Sequence, residues 1–286
     1  PIYIFLQFKL INISKLKNSL IFCFSIFIFS IPVILSGERT AIFLLFILIF
    51  FISLFYNCSI KLKLAMMFLI IFSLTSIIFA VPKLKDRIID HTITEIFDED
   101  EQIKIFSAYH TSHYLTAYKM FLDKPIFGHG TKTFRKLCDS SEYEVNIYSI
   151  KKEFLPLYKS KINIILQPKD INHAVIAGNG CTTHPHNTYI QLLSETGLFG
   201  FTPILLIFLL CCYKILTKAI LVIKHEYIFS QSMNIFIYVS IFLNFFPLMP
   251  TGNFFNNWLN FLYFYPIGFL LYYELNKFKY FNVIKK

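Results

Sequence analysis

The chain has 286 residues, of which 56% are hydrophobic and 15% charged, with 35 Phe, 1 Trp and a mean hydropathy of +0.58. Soluble domains run at about 45–50% apolar, so this composition excludes an ordinary soluble domain, as well as a disordered chain, a collagen-like repeat and a small disulfide-stapled scaffold. The net charge is +10, yet residues 82–186 hold 14 Lys/Arg against 13 Asp/Glu and the remainder holds 13 against 4. The basic excess lies among apolar stretches, which fits a membrane topology and excludes a nucleic-acid patch.

The opening PIYIFLQFKLI starts at Pro1 and reads as the tail of an apolar span. The chain is therefore expected to be a fragment or a truncated product, and no signal peptide is apparent. A membrane span needs about 20 mostly apolar residues. Six segments are expected to cross: Ser19–Leu35, Thr40–Tyr56, Leu64–Val81, Leu198–Leu216, Ile228–Met249 and Trp258–Leu275. Lys15 and Lys17, Lys61 and Lys63, Lys214, Lys218 and Lys224, and Lys277, Lys279, Lys285 and Lys286 alternate along the chain so as to mark one cytoplasmic side. The other side receives the turns Ser36–Arg39 and Pro250–Asn257 and the long segment Pro82–His186. Arg39 is the basic residue that breaks the charge rule. The expected fold is an all-α integral membrane protein with about six transmembrane helices and one large, partly helical periplasmic loop. Residues 1–81 and 187–286 form its membrane parts, and 82–186 form the loop.

Within the loop, Ser112–Asp123 places Tyr114, Ala117, Tyr118 and Phe121 at helical spacing and predicts an amphipathic helix. The stretches 103–108 and 147–165 leave helix and strand both open.

The densest polar cluster is CTTHPHNTYIQLLSETGLFGF, Cys181–Phe201. His186 has the proton affinity of a base working near neutral pH; a solvated interfacial histidine is the plainer alternative. His184 and Asn187 flank it. A helix starting near Asn187 would turn its free N–H groups toward an anion. Glu195, two turns on, is either functional or a packing partner for a polar neighbour. A His-x-His pair interrupted by Pro185, with no third ligand at fixed spacing, argues against a metal, although His110, His113, His129 and His173 add further imidazoles. Arg39 offers a fork of donors suited to a diphosphate, or it snorkels and pairs with Glu38. The turn DKPIFGHGTKTFRKLC, Asp123–Cys138, adds Gly128, Gly130, Lys132 and Arg135, which suit an anionic ligand or form a plain solvated turn. Cys23, Cys211 and Cys212 read as apolar packing residues and Cys58 as the end of a span. Cys138 and Cys181 are the two loop cysteines. In an oxidising compartment they are expected to bridge, with two free thiols as the alternative.

The run His186-Asn187, nine residues, Gly197, two residues, Gly200 resembles the HN-x9-G-x-x-G signature of the O-antigen ligase superfamily, shared with Wzy-type polymerases. SGERTA at Ser36–Ala41 is similar to that family's Ser-Gly-x-Arg-Thr element. TAYKMFLDKPIFGHGTKTF resembles its Ala, Pro and Gly-x-Gly helix-turn. The resemblance implies a GT-C-like membrane glycosyltransferase, independent of metal and of any cofactor, that inverts the anomeric centre. It would move a glycan from undecaprenyl diphosphate onto a sugar hydroxyl at the periplasmic face of the bacterial inner membrane. The acceptor would be lipid A–core for a ligase or a growing glycan for a polymerase; a protein O-oligosaccharyltransferase belongs to the same family. Carried over, His186 activates the acceptor and Arg39 binds the diphosphate. Asn187, His184, His110, Arg135, Lys132, Gly128 and Gly130 would line the substrate. In the family's R-x-x-x-W-x-x-A pattern, His110 stands at the Arg, Tyr114 at the Trp and Ala117 at the Ala, so Arg87 or Arg135 is left to supply the second cation. The partners implied are the lipid-linked glycan, the glycan acceptor and membrane lipids, with no nucleic acid. A lipid-linked sugar transporter and an inactive fragment are the competing readings; the chain shows no internal repeat of the transporter kind.

Overall fold

The computed structural model describes residues 15–56, 60–90, 92–93, 106–150, 174–224, 233–247 and 249–284. The expectations for the opening segment, Cys58, His173 and the stretch 151–165 lie outside these residues. The elements in chain order are α1 (Lys15–Leu35), α2 (Arg39–Phe55), α3 (Ile60–Ala80), α4 (Pro82–Lys85), a π turn (Asp86–Asp90), α5 (Ala108–Asp123), α6 (Phe134–Leu137), β1 (Asn146–Ile150), β2 (Ala174–Asn179), α7 (Thr188–Ile223), α8 (Met233–Asn244) and α9 (Asn257–Ile284). The chain forms two compact units: Pro1–Thr92 with Cys211–Leu243 and Pro266–Lys286, and Ile93–Leu210 with Asn244–Tyr265.

The protein is mainly helical because its long apolar runs satisfy their backbone groups internally as helices. Among the described residues, two helices are long and apolar enough to cross a membrane, over Lys63–Ala80 and Thr188–Ile223. The apolar helices Leu20–Leu35, Arg39–Phe55 and Asn234–Asn244 are shorter. Of the fifth expected span, Ile228–Met249, residues 228–232 and 248 lie outside the described residues. Its helix α8 covers 12 residues, about 18 Å at 1.5 Å per residue, and ends at Asn244. There the chain leaves helical geometry, and its following carbonyls, Phe245, Pro247 and Met249, accept hydrogen bonds from Tyr189 and Asn187.

In the first unit, α1, α2 and α3 share a core of Ile34, Ile42, Leu45, Ile49, Ile70, Leu74 and Ile78. Many large apolar side chains, among them Phe24, Phe68 and Phe72, face outward, as lipid-facing helices do. Helix α1 ends at Gly37, where a φ of 65° requires a residue without Cβ.

In the second unit, α5 is capped by Ser107, whose hydroxyl accepts the His110 N–H. The helix starts four residues before the expected Ser112. Its buried face also differs from the predicted one. Ser112, His113, Thr116, Ala117 and Met120 are buried, whereas Tyr118 is exposed. The loop is not wholly α. Strands β1 and β2 pair antiparallel, with a bulge between Ile147 and Tyr148. Gly178 lets this ribbon lie against the backbone of Ala108 and Tyr109, where a Cβ would collide.

Candidate active site

Helix α7 is broken at Gly197, with φ 62° and ψ −162°, a region essentially confined to glycine. The break is filled by the turn 125–130. Leu198 and Phe199 donate their N–H groups to the Pro125 and Ile126 carbonyls at 2.8 and 3.1 Å. His129 and Gly130 donate theirs to the Ser194 and Glu195 carbonyls at 3.2 and 2.8 Å. Each orphaned group at the broken helix ends thus finds a partner. A Cβ on Gly128 would strike the Glu195–Thr196 backbone, and one on Gly197 would strike Ile126 and Phe127. The close approach at Gly128 and the N–H of Gly130 thus serve α7. The Gly128 N–H donates to the Lys124 carbonyl.

Glu195 is fully buried and secures the same turn. Its carboxylate accepts the N–H of Lys132 (2.9 Å), the N–H of Phe134 (3.0 Å) and an amide hydrogen of Gln191 (3.1 Å). Lys132 itself has a φ of 61°; its backbone, not its charge, makes this contact. Gln191 extends the network. Its Nε2 donates to Asn253 Oδ1, and its Oε1 accepts the Phe254 N–H.

Asn187 is the N-cap of α7. Its Oδ1 accepts the N–H groups of Tyr189 and Ile190 at 3.0 and 3.1 Å, and its Nδ2 donates to the Pro247 and Met249 carbonyls. The Asn187 side chain thus caps the helix itself. The same clamp fixes His186. Its carbonyl accepts the Thr251 N–H at 2.8 Å, and its φ is 56°. A left-handed non-glycine residue carries strain of about 1–3 kcal/mol and persists only where its surroundings over-determine it.

Four imidazoles meet at this point. The His184 and His186 ring centroids are 4.1 Å apart, His113 and His186 5.5 Å, and His110 and His186 5.9 Å. Burial pushes His186 below its ordinary value. Burial and then the neighbouring His186 push His184 down to about 4, with His113 and the Arg135 guanidinium adding to the effect. Burial likewise lowers His113, partly offset by the Gly180 carbonyl. The lowered values of His113, His184 and His186 favour the neutral form, and neutral imidazole is the form that accepts a proton. Nδ1 of His113 is buried with no partner.

Of the other predicted residues, Arg135 and Lys132 are solvent-exposed. His129 is buried against Tyr143 and the Met120 carbonyl. Cys138 and Cys181, 43 positions apart in sequence, are joined as a disulfide with Cα atoms 4.9 Å apart. They also form, with Asp139, the one His/Cys/carboxylate group among the described residues compact enough for a metal, and both sulfurs are committed to the bridge. Reduction should lower the stability of the full chain by about 2–4 kcal/mol. Thermal unfolding with and without a phosphine reductant reads this; an unchanged midpoint, with both thiols alkylated before reduction, would contradict it.

Arg39 opens α2 in the first unit and its Nη1 lies 3.4 Å from Thr92 Oγ1. Glu38, considered as its partner, instead binds Arg87 at 2.6 Å. Arg87 also lies against Gly37, so both guanidinium groups belong to the same end of α2.

His113, Gln191, Glu195 and Asn253 carry much of this arrangement without having stood out as site residues. The signal available was the pairing of His110 with His113 and of Gln191 with Glu195, three and four residues apart on helices.

A largely helical chain with membrane-length apolar helices, carrying a cluster of four imidazoles around a strained His186, defines a membrane-associated protein. The family model Wzy_C, O-Antigen ligase, matches residues 24–205, and the chain belongs to that family. The family carries ligase- and polymerase-type function of a glycosyltransferase kind on glycan and lipid-linked substrates. Searches of curated proteins and of solved structures found no match to the chain.

Proposed function

We propose that the chain transfers a glycan from undecaprenyl diphosphate to a sugar hydroxyl at the periplasmic face of the inner membrane, and that the reaction is ligation of O-antigen to lipid A–core. The observation that carries this reading is His186, held in a left-handed conformation at the centre of four imidazoles, where burial favours its neutral form. His186 removes the acceptor proton. The acceptor oxygen attacks the anomeric carbon from the face opposite the diphosphate. The bond from that carbon to the diphosphate oxygen breaks, and the diphosphate leaves with its electron pair, so the centre inverts. Arg39 is assigned to the diphosphate, where a guanidinium offsets the charge that develops on the leaving oxygen without a metal. His110, His184 and Arg135 are assigned to the substrate side of His186. The six-span arrangement, with residues 1–81 and 187–286 in the membrane and 82–186 outside, belongs to the same proposal.

His186→Ala in the full-length protein should cut transfer by about 10²–10⁴-fold, the usual weight of a general base. The assay is surface glycan on a strain lacking its own ligase. Because the folded His186 value is lowered, the neutral base survives below pH 6.5, and the acid limb of kcat/KM should lie under that value. Stability follows the same sign: the neutral rings contribute above the ordinary 6.5, and the contribution is lost as pH falls toward about 4 for His184. Normal transfer by His186→Ala at normal protein levels would end the assignment.

A further inference from the structure

Helix α5 is inverted relative to a water-exposed amphipathic helix. Its buried face carries Ser112, His113, Thr116, Ala117 and Met120. The opposite face carries Leu115, Tyr118 and Leu122, spaced i, i+3, i+7, and these are 43%, 50% and 58% exposed. The apolar strip continues past the helix end. Ile126 and Phe127 are 60% and 70% exposed, and the Phe127 ring centroid lies 5.8 Å from that of Phe199, which is 73% exposed. The connection is rigid, because the Leu198 and Phe199 N–H groups bond the Pro125 and Ile126 carbonyls. Leu198 and Phe199 lie on α7, one of the two helices long and apolar enough to cross a membrane. The strip is thus continuous with a lipid-facing surface. Two charges at its edge are engaged: Asp123 accepts the Tyr143 hydroxyl, and Lys119 donates to the Glu144 carbonyl; Lys124 is exposed there.

We propose that α5 and the turn 125–128 form an interfacial anchor, with Leu115, Tyr118, Leu122, Ile126 and Phe127 seated at the headgroup–acyl boundary of the leaflet that α7 enters. Apolar helix faces bury about 5–10 Å into that boundary. The partner is the lipid bilayer itself. The polar face of the same helix then carries His110 and His113 at headgroup depth. The proposal rests on the membrane character of the family, not on which glycan is moved, so it stands or falls separately from the His186 assignment.

The test uses the full-length chain in lipid nanodiscs. Trp258→Phe removes the sole tryptophan, and Tyr118→Trp places a reporter on the strip, with Ile126→Trp as a second reporter should the first not accumulate. Quenching of the reporter by phosphatidylcholine brominated near the headgroup end of its acyl chains, exceeding quenching by aqueous iodide, is the expected result. Quenching by iodide alone would show the strip to be wet and overturn the anchor. Quenching by neither would place another protein chain on it and overturn the anchor equally.

Discussion

Gly197→Ala should cost on the order of 3–5 kcal/mol, from about 1–3 of backbone strain and about 1–3 of overpacking. The backbone there, at φ 62° and ψ −162°, suits only glycine, and an added methyl would meet the Ile126 carbonyl and the Phe127 amide. Neither neighbour can retreat, because both belong to the turn whose carbonyls accept the Leu198 and Phe199 N–H groups. The expected reading is a fall in the thermal midpoint on the order of 10 °C, with the turn 125–130 opened to protease. A midpoint within about 2 °C of the parent would show that the break in α7 is not held by glycine. By contrast, Gly268 has open space around it, and Gly268→Ala is the matched control.

Glu195→Ala should destabilise by about 3–5 kcal/mol, because removing one partner from a buried polar network leaves the others unsatisfied. The Lys132 and Phe134 N–H groups and the Gln191 amide would all lose their acceptor. Glu195→Gln keeps a single acceptor oxygen and turns an NH2 toward a donor, so it should fall between Ala and the parent. Thermal unfolding of the three proteins in one detergent gives the order; an alanine variant as stable as the parent would remove Glu195 from the account. The turn that Glu195 secures also leads through α6 to Cys138 and its bridge to Cys181, three residues before His184. Loss of Glu195 should therefore reach the imidazole cluster as well, and it cannot be read as a purely catalytic variant.

Both predictions concern residues whose importance and role were unevenly visible. Gly197 stands at a spacing from His186-Asn187 that could be read directly, but its purpose could not. The reason for the glycine is the Pro125–Gly130 turn, about 70 residues earlier in the chain. Asn187 could be read as important, but its capping role could not: that depends on its amide being buried at the helix start. At Gly128 the close backbone approach could be read, but not that the approaching backbone is Glu195–Thr196 of the same chain. Strands β1 and β2 escaped notice because their pairing is non-local and each is short.

Apolar runs, their lysine-rich flanks and the His-Asn-Gly-Gly spacing are local properties, and they sufficed for a mainly helical chain, its membrane character and its family. The convergence of His110, His113, His184 and His186, the broken helix filled by a distant turn, and the outward apolar face of α5 are decided by contacts between segments far apart in the chain. Local propensity carries no information about which imidazole meets which, because burial and neighbouring charge, the terms that lower these histidines, exist only once the segments are packed together.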